Sequence, residues 1–117
     1  MMSNRARAQS RTTMENKMIE GQSNPLDIAK RVLSTSTLRA AARSPYTRQG
    51  WKILDRWAMN SPEALKALEA QGEVILLGRL LEQQTLETKV LEENQQAGSH
   101  MAEHEILSMH QVETELA

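Results

Sequence analysis

Apolar residues recur at three- and four-residue intervals along most of the chain, and no stretch alternates with the period of two that a half-buried strand needs. The pattern predicts an all-α protein, a small helical bundle of four to five short helices with a longer C-terminal helix and a disordered basic N-terminal arm. Residues 1–23 form that arm, which is polar and runs into Gly21-Gln22-Ser23-Asn24-Pro25. A helical domain is expected over 24–96. Residues 97–117 read as an acidic, amphipathic tail helix, loosely attached.

Cap-plus-proline pairs mark the expected helix starts. Asn24-Pro25 predicts a first helix with Leu26, Ile28, Ala29, Val32 and Leu33 on one side. The hydroxyl run Ser34–Thr37 interrupts it, and Thr37 is expected to cap a short helix over 38–43. Ser44-Pro45 opens a third helix reaching Met59. On it Gly50, Trp51, Ile53, Leu54, Trp57 and Ala58 share one arc, with Arg48, Gln49, Lys52, Asp55 and Arg56 opposite. A glycine in a helix costs about 1 kcal/mol relative to alanine, so Gly50 on the apolar arc implies close approach of another helix. Ser61-Pro62 starts a fourth helix that Gly72 ends.

The fifth helix, 73–96, is the longest. Its first two turns are apolar almost all round, with Val74, Ile75, Leu76, Leu77, Leu80 and Leu81, which predicts burial there and a projecting far end. Leu77, Leu80, Leu81 and Leu91 are the candidate oligomer interface. The reason is a thin core: the chain has no Phe, one Tyr and two Trp in 117 residues. Small domains with modest cores often draw stability from association.

Charge changes the picture more than composition does. Residues 1–58 hold eleven Lys/Arg against four Asp/Glu, whereas 59–117 hold three against eleven, so the formal net charge of −1 conceals two opposed halves. Such segregation calls for an electrostatic partner of the basic half: a polyanion, an acidic protein, or the acidic half of another copy. Arg48, Lys52 and Arg56 form the sharpest basic feature, a stripe with steps of about 6 Å. With Gln49, and with Arg5, Arg7 and Arg11 of the arm, they are the candidate contacts to nucleic acid or to an acidic partner. Residues 37–59 have the length of a helix-turn-helix, although proline replaces the usual glycine in the turn.

Candidate chemistry is sparse. His100-Met101-Ala102-Glu103-His104 fits the H-x-x-E-H pattern of one class of zinc peptidase, but no distant third ligand accompanies it. Gly98-Ser99-His100-Met101 also matches a common fusion-junction sequence, a second reason to give these histidines no role. There is no cysteine, nucleophile elbow or glycine-rich phosphate loop. No catalytic, metal or cofactor site is therefore assigned, and no enzyme activity is expected. The longest apolar run, Val74–Leu77, is far short of the roughly 18 residues of a membrane span, and no secretory leader is legible, so a cytoplasmic location is expected.

These features imply a non-catalytic helical protein-interaction module, a small oligomeric adaptor or regulator of the kind found among bacterial or phage accessory proteins. Its partner is another protein, itself, or both. The alternative is a DNA-binding regulator that reads with the helix-turn-helix-like segment 37–59 and dimerises through 73–96.

Overall fold

The computed structural model describes residues 24–96 and 100–116. Five α-helices follow one another: α1 (Thr35–Ala41), α2 (Arg48–Asn60), α3 (Pro62–Gln71), α4 (Glu73–Gln96) and α5 (Glu103–Met109). Among the described residues there is no strand, and the architecture is the expected all-α bundle with a long helix late in the chain. The arm residues Arg5, Arg7 and Arg11 lie outside the described residues.

α4 is the spine, contacting α1, α2, α3 and α5. Its buried face supplies Leu76 and Leu80, which meet Ile53, Leu54, Trp57 and Ala58 of α2 and Leu65 of α3 in the main core. A second, smaller cluster joins Val90 near the end of α4 to Ile106 and Leu107 of α5, flanked by Leu91 and Val112. The far end of α4 is therefore covered by the C-terminal segment instead of projecting.

Three expected helix starts are corrected, two of them by side chains reaching in from elsewhere. Residues 24–33 form turns and a single 3-10 turn at Ala29–Arg31, not a helix from Asn24. Leu26 has φ 70°, a left-handed conformation that no right-handed helix passes through. Asp55 of α2, placed by periodicity on the solvent side, holds this segment by accepting hydrogen bonds from the N–H groups of Leu26 and Ala29, both at 2.9 Å.

α1 begins at Thr35 with Ser34 as its cap, because the Ser34 hydroxyl accepts from the Thr37 N–H. α2 begins at Arg48, not Pro45. Gln84 of α4 intercepts the preceding turn, accepting from the Thr47 N–H (2.9 Å) and donating to the Pro45 carbonyl (3.1 Å).

That same Gln84 accounts for Gly50. A Cβ on Gly50 would run into the Gln84 side-chain oxygen, so the glycine admits an α4 side chain at the point where the two helices meet. Trp57 is fully buried in the core. Trp51 is half-buried, and its indole N–H donates to the Ala41 carbonyl, tying α2 to α1.

The hydroxyls of Ser34, Ser36 and Thr37 bind α3 and α4 to the start of α1. Glu69 accepts from the Ser34 N–H (2.8 Å) and the Thr37 hydroxyl (2.7 Å), and Glu73 accepts from Ser36 (2.7 Å). Burial works to raise the Glu69 pKa, but the Ser34 and Thr37 hydrogen bonds, with the Lys66 charge, outweigh it and hold the carboxyl below its ordinary value. A lowered folded-state pKa adds stability above the unfolded value, and that contribution disappears as the pH falls through the folded one. Wild-type protein should thus melt above Glu69→Gln at neutral pH, with the two midpoints converging on acidification below the carboxylate range. A gap that stays constant across the titration would contradict this assignment.

Candidate functional site

Two features stand out once the helices are in place: a polar groove between α2 and α4, and an uncovered apolar face on α4. The groove is built around Glu87, whose side chain is fully buried. Arg56 pairs with it from α2 at 2.5 Å, while Gln49 and Gln83 donate to its oxygens at 2.9 and 2.7 Å. A buried carboxylate survives only when paired and hydrogen-bonded, and here both oxygens are served. Gln83 is itself fixed, because its side-chain oxygen accepts from Arg79, whose guanidinium lies 5.1 Å from the centre of the Trp57 ring.

Residues 112–116 lie along this groove as a strap after α5, joined through Gln111 with φ 59°. The Thr114 carbonyl accepts from the Trp57 indole N–H (2.8 Å) and from Arg56 Nε and Nη2 (3.0 and 2.8 Å). The neighbouring Glu113 carbonyl accepts from Gln83 at 2.8 Å. The Glu115 carboxylate lies 3.7 Å from Arg56 and accepts from Asn60, and Lys52 pairs with Glu103 at 2.6 Å. Beside the strap an open hollow of about 730 Å³ is bordered by Lys52, Arg56, Glu103, His104 and Ser108.

The basic stripe thus meets the acidic half of its own chain. Of its members Lys52 and Arg56 face carboxylates, Gln49 is turned onto Glu87, and Arg48 is exposed. Periodicity put Arg56 on the solvent side of α2; the groove was missed because Gln83, Gln84 and Glu87 are polar residues on a face that a hydropathy pattern treats as surface. The weak available signal was their spacing, since positions 80, 83, 84 and 87 continue the face of Leu76 around the same side of the helix.

The candidate interface residues separate. Leu80 is fully buried in the chain's own core, so it cannot contact another copy. Leu77 packs on the main cluster and Leu91 on the smaller one. Leu81 lies with Gly78, Glu82, Thr85, Leu86 and Lys89 on the outer side of α4. The surplus apolar surface sits there and at the helix start: Val74 is 81% exposed, Ile75 51% and Leu86 44%. The expectation that the first turns of this helix are buried all round fails for Val74 and Ile75, because only one side of α4 meets α2 and α3.

His100 precedes α5 whereas His104 lies within it, so the two do not occupy successive turns of one helix, and both are exposed. Among the described residues no group of three His, Asp or Glu side chains gathers as a metal site requires. No helix among them is long and apolar enough to cross a membrane. Compared with models of known families, with curated proteins and with solved structures, the chain matches none.

Proposed function

We propose that the protein is a non-catalytic helical interaction module that acts as a small oligomer, an adaptor or regulator, with the outer face of α4 as its self-contact. The observation that carries this reading is the uncovered apolar face of Val74, Ile75 and Leu86, with half-buried Leu81 beside them, which the chain's own core leaves to solvent. Gly78 supports it. A Cβ there would meet nothing within 4 Å, so the glycine weakens the helix without serving any contact inside the chain. A position without a Cβ admits close approach of a second helix.

The test is sedimentation across a concentration series. Wild-type protein is expected to gain mass with concentration, and Leu86→Glu with Val74→Glu to stay monomeric with unchanged helix content. Gly78→Leu should likewise block association while leaving the monomer at least as stable. A wild-type mass that stays monomeric to high micromolar concentration would overturn the reading. The duplex-binding alternative draws less support, because Lys52 and Arg56 already face carboxylates that DNA phosphates would have to displace. A gel shift that weakens with salt and with Arg48→Gln would favour it instead.

A further inference from the structure

The strap is held as a bound peptide is held. Four N–H groups from three side chains, those of Arg56, Trp57 and Gln83, converge on two consecutive backbone carbonyls, Glu113 and Thr114. Backbone carbonyls carry no side-chain identity, so these donors recognise a non-helical chain as such. Selectivity comes from the margins. Arg56 and Asn60 address the acid at 115, and Val112 and Leu116 each pack against an apolar cluster.

The donors do not depend on the strap for their positions. Arg56 is oriented by Glu87, Gln83 by Glu87 and Arg79, and Trp57 by burial in the core. The groove is thus organised from α2 and α4 alone. An empty groove would leave the Gln83 amide and the Trp57 indole N–H short of an acceptor, a cost that an incoming peptide with the same two carbonyls avoids. Exchange of one occupant for another is therefore favoured over simple opening.

We infer that the α2–α4 groove is a docking site for a non-helical peptide of the pattern apolar–any–any–acid–apolar, which this chain's own residues 112–116 fill in cis and a partner protein fills in trans. The site is distinct from the outer face of α4, so either can fail alone.

The probe is a fluorescent synthetic peptide of residues 110–117, titrated into the full chain and read by anisotropy. The Trp57 indole and Gln83 amide N–H resonances are followed in parallel by NMR. Saturable binding is expected, with shifts at those two groups. In the full-length double variant Val112→Ser, Leu116→Ser, affinity should rise about tenfold or more, because the cis occupant no longer holds most of the population in a closed state. A peptide carrying Glu115→Gln should bind more weakly to both proteins. If the double variant loses its helix content, the wild-type titration decides alone. No saturable binding up to millimolar peptide, or binding that leaves Trp57 and Gln83 unmoved, would overturn the inference.

Discussion

Replacing Arg56 by Met should destabilise the protein by about 3–5 kcal/mol, the largest loss expected from any single polar change. The reason lies in what stays behind. Glu87 is fully buried, and without the guanidinium it keeps only the two glutamine amides. The substitution also removes two of the three donors to the Thr114 carbonyl, so the strap should loosen in the same variant. Pairing Arg56→Met with Glu87→Leu should restore most of the lost stability, since apolar replacement of a buried ion pair is often close to neutral. Denaturant unfolding of the two single variants and the double gives the cycle. Additive losses would mean that Arg56 acts through packing or through the strap, and not through Glu87.

Leu80→Ala should cost about 2–5 kcal/mol, because the side chain is fully buried between α2 and α4 and the site has little freedom to collapse. At the next residue, on the outer side, Leu81→Ala should cost far less and should act on the concentration dependence of the mass. The contrast is the useful part. Both leucines belong to one apolar run, and thermal melts at a single low concentration should separate them by most of the Leu80 effect. Equal losses would mean that the outer face of α4 is covered within the chain.

The elements most legible in the sequence were those whose own residues decide them. α3 starts at the proline and ends at the glycine that mark it, with Gly72 at φ 140°. The arc from Gly50 to Ala58 is the buried face of α2, and the reason given for Gly50 holds, with a glutamine side chain as the element that comes close. Segment 24–33 was misread because its backbone donors are claimed by Asp55, 26 and 29 residues away, a competitor no local pattern can display. The start of α2 was misplaced by three residues for the same reason, with Gln84 as the distant competitor.

The site divides along the same line. The sequence by itself determined the helical class, the helix-defining periodicity and the presence of two oppositely charged halves, because these follow from backbone propensity, spacing and composition. It also placed Arg56 and Lys52 on one stripe. Which carboxylates they meet was decided only by the tertiary structure: the turn after α5 lays Glu113, Thr114 and Glu115 beside α2, and α4 brings Glu87 beneath Arg56. Electrostatic partnership depends on distance, and distance between residues 56, 87 and 114 is set by how helices pack and not by their order along the chain. Likewise four leucines of equal hydropathy became one core residue, two flanking ones and one half-buried on the outer side, because a helix packed on one side hides only the half that faces its neighbours.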